Sequence, residues 1–191
     1  MAAVIFVLAG PPGAGKSSVL NKAFAENMPV LDLDQIVRDM EQRDISNVAH
    51  NATQWFEQAI GHFISQKLSF GYETNFHANV LDADGILARA RREGYTMQLF
   101  YVGLQSPEDC RKRVQDRVAR GGHYVPLRVI EERFYKALAN LREHFCFFER
   151  VNIYDNAEDT TRLVLMAEKG RVTYRDEQMP PWVANALAGL V

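Results

Sequence analysis

Gly10-Pro11-Pro12-Gly13-Ala14-Gly15-Lys16-Ser17 decides how the rest of the chain is read. The stretch fits G-x-x-x-x-G-K-[ST], and its flanks suit the mechanism of that pattern. Before it runs Ala3-Val4-Ile5-Phe6-Val7-Leu8-Ala9, continuous and apolar, as a parallel strand buried on both faces requires. After it, Ser17 to Asn27 places Leu20, Ala23 and Phe24 at helical spacing. Glycines let the backbone curl so that successive N–H groups face inward, and a helix N-terminus adds partial positive charge. Such a nest holds the phosphates of ATP. Gly10, Pro11, Pro12, Gly13, Ala14, Gly15, Lys16, Ser17 and Ser18 are therefore the expected cofactor-binding residues. Lys16 is expected to reach the β- and γ-phosphates, and the Ser17 hydroxyl to ligate Mg²⁺.

The bulk numbers are those of an ordinary globular protein. The 191 residues are 47% hydrophobic and 24% charged, enough for one well-buried α/β core. A net charge of −2 gives no electrostatic footprint for coating nucleic acid or acidic membrane. Cys110 and Cys146 are far apart and outside any C-x-x-C spacing, so spare thiols in a reducing compartment are expected. No basic-then-apolar leader precedes the loop, and no run approaches the roughly 18 apolar residues of a membrane span. The expectation is a cytoplasmic protein with no membrane partner.

Strands and helices alternate along the chain. Pro29 to Asp34 reads as a second strand ending in acid, Asn51 to Leu68 as a helix, and Ser69 to Thr74 as a third strand. Asn79 is the expected cap of the next helix, with Val80, Ala83, Leu87 and Ala90 on one face and Gly94 ending it. Tyr95 to Leu104 reads as a fourth strand. Ser106-Pro107-Glu108-Asp109 opens a helix with an N-cap, an N1 proline and first-turn acids. Leu127 to about Phe147 predicts a long helix, and Val151 to Tyr154 a fifth strand. Leu163 to Ala167 and Arg171 to Tyr174 read as a hairpin, followed by Pro180-Pro181-Trp182 and a short apolar tail. This predicts an α/β P-loop NTPase fold with a five-stranded, mainly parallel sheet between helices, a helical lid and a small C-terminal hairpin. Residues 1–155 form the expected core, with the lid at about 106–133, and 156–191 the hairpin and tail packed on it.

In open α/β sheets ligands sit beyond the carboxyl ends of the strands. Asp32 and Asp34 lie there, two apart and so on one face of an extended strand, and Glu73 and Thr74 end the third strand. Such acids orient metal-bound water or accept the proton of an attacking hydroxyl; the competing reading is a helix cap. The run before Gly103 ends without an acid, which weakens a motor-ATPase reading. Arg111 to Arg120 carries much of the positive charge. Arg113, Arg117 and Arg120 line one stripe beside the apolar Cys110, Val114 and Val118, and Gly121-Gly122 then joins this helix to one bearing Arg133. That describes a lid bringing guanidiniums to ATP, with Arg117 and Arg120 as catalytic candidates and Arg113 and Arg133 as nucleotide contacts. A solvated, salt-bridged face is the alternative. His123 beside the double glycine serves a turn as readily as a substrate; His50, His62, His77 and His144 show no ligand spacing and receive no role.

Taken together, Gly10 to Ser17, the strand-2 aspartate, Phe70-Gly-Tyr-Glu-Thr74, and Ser106 to Val114 leading into Gly121-Gly-His-Tyr-Val-Pro126 resemble the zeta-toxin-like P-loop kinases over roughly residues 4–150. The resemblance implies a nucleoside-kinase-like fold and an enzyme that uses ATP to phosphorylate UDP-N-acetylglucosamine. It implies Asp34 as base on the sugar hydroxyl, Glu73 as the strand-3 glutamate, and lid arginines that clamp ATP. The chain departs from the family's Asn-Ala-Asp with Asp32-Leu33-Asp34, and from its Glu-Thr-Thr with Glu73-Thr74-Asn75.

The resulting expectation is transfer of the γ-phosphoryl of ATP–Mg²⁺ to a hydroxyl of a small molecule, such as a nucleotide sugar. Lys16, Asp34, Arg117 and Arg120 are the catalytic set, and Asp32, Asp34, Glu73 and Thr74 bind the acceptor. Two alternatives stand beside it: an ATP-binding regulatory switch or toxin–antitoxin component with little catalysis, and a polynucleotide 5′-hydroxyl kinase. The acidic charge and the lack of a basic–aromatic strip argue against nucleic acid. An antitoxin-like partner is compatible with the resemblance, but no residue indicates one.

Overall fold

Val4 to Ala9 forms strand β1 at the centre of the sheet, where apolar side chains are needed on both faces. The computed structural model describes residues 2–17, 19, 28–77, 85–122, 124–157 and 160–191. Most of the expected helix after the glycine-rich loop, the Asn79 cap with Val80 and Ala83, Ser18 and His123 lie outside the described residues.

Strands β2 (Val30–Asp32), β3 (Phe70–Thr74), β4 (Thr96–Gly103), β5 (Arg150–Asp155), β6 (Arg162–Glu168) and β7 (Arg171–Arg175) complete one sheet, ordered β2-β3-β1-β4-β5-β6-β7. The first five are parallel, as expected. Among the described residues seven strands replace the expected five, because the C-terminal hairpin continues the sheet. β6 runs antiparallel to β5, pairing Val151 with Ala167 and Ile153 with Leu165, and these side chains extend the core. Strand order reverses around β1, so the loop after β1 opens at a switch point between outward-running connections.

Helices α1 (Leu33–Glu41), α2 (Val48–Ser65), α3 (Ile86–Arg92), α4 (Pro107–Ala119), α5 (Leu127–Glu143) and α6 (Pro181–Ala186) pack around this sheet. Ile5, Val7, Leu99, Tyr101 and Ile153 meet Phe56 and Ile60 of α2, Leu141 of α5 and Trp182 of α6 in the main core. Cys110 and Val114 of α4 pack on Ile130 and Phe134 of α5. On the opposite sheet face, Leu8 and Val102 meet Ala14 and Val19.

Local signals act where expected. Ser106 Oγ accepts the Asp109 N–H at 3.2 Å at the start of α4, and Gly94 takes φ +81° just beyond α3. Two expectations shift. α2 begins three residues early, at Val48. The long helix stops at Glu143, and Phe145–Phe147 forms a 3₁₀ turn that delivers Phe145 and Phe148 to the core.

Trp182 ties the tail to the end of β4 and β5. A Cβ on Gly103 would lie 2.3 Å from the Trp182 ring, so only glycine lets the indole lie against the end of β4. Trp182 Nε1 donates to Asp155 Oδ1 at 2.8 Å, and both residues are buried. Trp182→Ala is expected to lower unfolding free energy by about 3–5 kcal/mol. Trp182→Phe keeps most of the ring but strands the carboxylate, costing about 1–3 kcal/mol. Urea titration of the three proteins checks both.

Candidate functional site

The loop after β1 holds a shape that side chains other than glycine resist. Gly10, Gly13 and Gly15 have φ of +147°, +82° and +88°. A Cβ at each would lie 2.1 Å from Val102 O, 2.5 Å from Cys110 O and 2.2 Å from Asn156 Nδ2. The loop is thus pressed on three sides by the end of β4, by α4 and by the residue after β5. Lys16 and Ser17 begin a helical turn, with Ser17 exposed and Lys16 buried. The Lys16 ammonium donates to Gly10 O at 3.0 Å and to Asn75 Oδ1 at 3.0 Å, and lies 3.8 Å from Glu73 Oε1.

Strand register aligns the acids with this loop. Leu8 pairs with Glu73 and Glu73 with Asp32, so all three share the sheet face on which Ala14 packs. Asp34 does not share that strand. The extended run ends at Asp32, whose Oδ1 accepts the Asp34 N–H at 2.9 Å and caps α1. The expected face-sharing of Asp32 and Asp34 is thereby corrected, because the chain turns helical at Leu33. Asp34 still reaches the site from the first turn of α1: its Oδ2 accepts from Asn75 Nδ2 at 3.2 Å. Asn75 therefore bridges the Lys16 ammonium and the Asp34 carboxylate. Thr74 turns its hydroxyl to the Phe76 N–H at 3.0 Å, holding the bend after β3. These groups line a cleft of about 160 Å³ with Asp32, Glu73 and His77.

Burial sets the electrostatics. It pulls the Lys16 ammonium below its ordinary pKa, against the pull of Glu73, Asp32 and Asp34. It pushes the Glu73 carboxyl up, and the nearby Lys16 opposes this. Asp32 is raised by burial and then by Asp34. His77 is held below the imidazole range by burial, then by Arg133 and Lys136.

Arg113, Arg117 and Arg120 line one recess of about 470 Å³ with Gly121 and Gly122. The Arg113 guanidinium also donates to the Asn156 carbonyl. Arg133 is elsewhere. α5 packs on α4 through Ile130 and Phe134, which turns Arg133 toward α1, where it lines a cleft of about 250 Å³ with Asp34, Arg38, Tyr124 and Pro126.

The Zeta toxin family profile matches residues 2–165. The chain belongs to the Zeta toxin family. A sequence search of curated proteins finds no match. Among solved structures, the complex AvrRxo1-ORF1:-ORF2 with ATP shares 15% identity at TM-score 0.69, over 90% of this chain and 60% of that one. The chain thus spans about 60% of the length of that neighbour. The PezAT chromosomal toxin–antitoxin system of Streptococcus pneumoniae shares 17% identity at TM-score 0.63, covering 100% of this chain and 78% of that one. The Pnkp1/Rnl/Hen1 RNA repair complex shares 15% at 0.58, over 74% and 46%. At these identities the likeness is one of fold, and it is a P-loop kinase fold. Among the described residues no helix is long and apolar enough to cross a membrane.

Three residues of this family member join the site without having been singled out as site residues in the sequence: Asn75, His77 and Asn156. His77 lines the cleft with Asp34, and its Nδ1 is buried without a hydrogen-bond partner among the described residues. Position directly after a strand end was the available signal for Asn75 and Asn156; His77 offered none.

The raised Glu73 carboxyl makes a pH prediction. The folded protein holds this proton where the unfolded chain has released it. Its contribution is therefore full below the ordinary glutamate value of 4.5 and is lost as pH rises through the raised one. Glu73→Gln cannot titrate. Chemical denaturation from pH 4 to 7 should show wild-type stability falling relative to the variant as pH rises, and a constant difference would refute this.

Proposed function

We propose that this chain is an ATP-dependent phosphotransferase that moves the γ-phosphoryl group of ATP–Mg²⁺ to a hydroxyl of a small molecule. A nucleotide sugar such as UDP-N-acetylglucosamine is the first acceptor to test. The observation that carries the reading is the Asn75 bridge: one amide touches both the phosphate-loop lysine and the Asp34 carboxylate. Few other arrangements put an ammonium suited to a γ-phosphate next to an acid suited to an alcohol.

The roles follow from position. The amides of residues 10–17 bind the phosphates, and Lys16 leaves its carbonyl partners to meet the γ-phosphate. The Ser17 hydroxyl and the carboxylates of Asp32 and Glu73 are hard oxygen donors that suit Mg²⁺, which usually keeps several waters and takes one or two protein ligands. When bound, that ion neutralises charge on the β- and γ-oxygens. The acceptor oxygen bonds to the γ-phosphorus as the bond to the β-bridging oxygen breaks; ADP leaves, and Asp34 takes the hydroxyl proton. Arg113, Arg117 and Arg120 face the nucleotide from α4, while Arg133 faces the acceptor side with Asp34.

Asp34→Asn is expected to cut kcat by about 10²–10⁴ with little change in the KM for ATP. Arg117→Ala is expected to cost up to about 10³ in kcat, and Lys16→Ala to abolish turnover. ADP release with a panel of nucleotide sugars and an oligonucleotide 5′-hydroxyl checks this. Stimulation by the oligonucleotide alone would favour a polynucleotide kinase. Tight ATP binding without turnover on any acceptor, and a functionally neutral Asp34→Asn, would favour a switch or toxin–antitoxin component.

A further inference from the structure

Asn156 follows β5 directly and is buried, yet every polar group it carries is engaged. Its backbone N–H donates to Gly103 O at 3.0 Å, and its carbonyl accepts from the Arg113 guanidinium. Its side-chain Nδ2 donates to Ala14 O at 2.8 Å, across 142 residues of sequence. Its Oδ1 accepts from Thr161 Oγ1 at 2.9 Å. The orientation of the amide is forced chemically, because Ala14 O can only accept and must face the NH₂ group.

The peptide joining Ala14 to Gly15 is planar, so the Ala14 carbonyl and the Gly15 N–H point in opposite directions. Drawing the carbonyl toward Asn156 therefore turns the Gly15 N–H away from Asn156. Gly15 has φ +88° and no Cβ, so little in the loop itself prevents this peptide from flipping. A flipped peptide would aim a carbonyl oxygen, rather than an N–H, at an anion.

We propose that Asn156 is a positioning residue that locks the Ala14–Gly15 peptide in the phosphate-accepting orientation, with Thr161 fixing the amide that does so. The inference rests on the reading of residues 10–17 as a triphosphate site. It adds that the site is completed by the segment after β5, and that the same residue holds Arg113 of α4. Loop and arginine helix thus share one anchor.

The test is calorimetry of wild type, Asn156→Asp and Thr161→Val with Mg²⁺–ADP and, separately, Mg²⁺–pyrophosphate, alongside thermal melts. Asn156→Asp is nearly isosteric but sets a carboxylate oxygen against Ala14 O, which favours the flip. It should bind both ligands at least about 30-fold more weakly while melting cooperatively. Thr161→Val removes the hydroxyl that holds Asn156 Oδ1, leaving the amide freer to swing away from Ala14 O, and should cost about 3- to 10-fold for both. Asn156→Asp affinity within about two-fold of wild type overturns the proposal. So does loss of ADP binding with pyrophosphate binding kept, which would mark a contact on the nucleoside side. If Asn156→Asp fails to fold, Thr161→Val decides: an unchanged pyrophosphate affinity overturns the proposal, and a drop supports it. Wild type that binds neither ligand removes the triphosphate site itself, before any variant is compared.

Discussion

Lys16 places an ammonium where water hardly reaches it, and a buried cation of that kind must be surrounded by acceptors or lose its charge. The loop's own carbonyls supply part of the shell, and the rest comes from the neighbouring strand ends through Asn75 and Glu73. That requirement constrains the register of β1, β3 and β2, since Glu73 reaches the lysine only because it pairs with Leu8 on the loop's side of the sheet. It also ties the acid cluster to the loop energetically. Carboxylates that repel one another are held together partly by the charge they share, and a phosphate that recruits the lysine changes the balance for all of them.

The end of β5 shows how one strand serves both faces. Successive residues point to opposite sides. Asp155 turns to the main core and grips Trp182 of α6, whereas Asn156 turns to the loop and grips Ala14. Gly103, at the end of the adjacent β4, supports both: its missing side chain admits the indole, and its carbonyl accepts the Asn156 N–H. The strand end that carries no metal-binding acid is thus occupied by packing, and the C-terminal tail braces the floor on which the phosphate loop rests.

The loop was legible in the sequence because its glycines answer local constraints, torsion and close approach, that fixed spacing records. The cap at Ser106 was legible for the same reason. What escaped depends on contacts distant in sequence. Asn75 meets Lys16 across 59 residues and Asn156 meets Ala14 across 142, and neither pairing leaves a local period. The mistake over Asp32 and Asp34 was a boundary error of two residues. An aspartate at a strand end caps a following helix as readily as it serves a ligand, and α1 starts at Leu33. The sheet was undercounted because a hairpin's alternation does not say which strand it will join. That Arg133 lines the Asp34 cleft, apart from the other three arginines, was not legible because spacing along α5 cannot show which face packs on α4.

Basic groups predominate on one flank of the site and acidic groups on the other, with Asp116 among the arginines and Arg38 beside Asp32. Arg113, Arg117 and Arg120 gather on the α4 flank of the loop, and Asp32, Asp34 and Glu73 on the β2–β3 flank, with Lys16 between them. A polyphosphate lying along the loop would meet the three arginines, with Asp116 among them, at its body and the cluster of three acids at its outer end. Acids there would repel a phosphate held in the ground state. They have a purpose when a neutral hydroxyl must lose a proton beside it, and the lysine offsets their repulsion only while it bridges the two. Under the proposed transfer, such acids would disfavour an acceptor whose negative charge lies directly at the reacting oxygen. The adjoining cleft is mixed in charge, with Arg133 and Arg38 set beside Asp34 and Glu41.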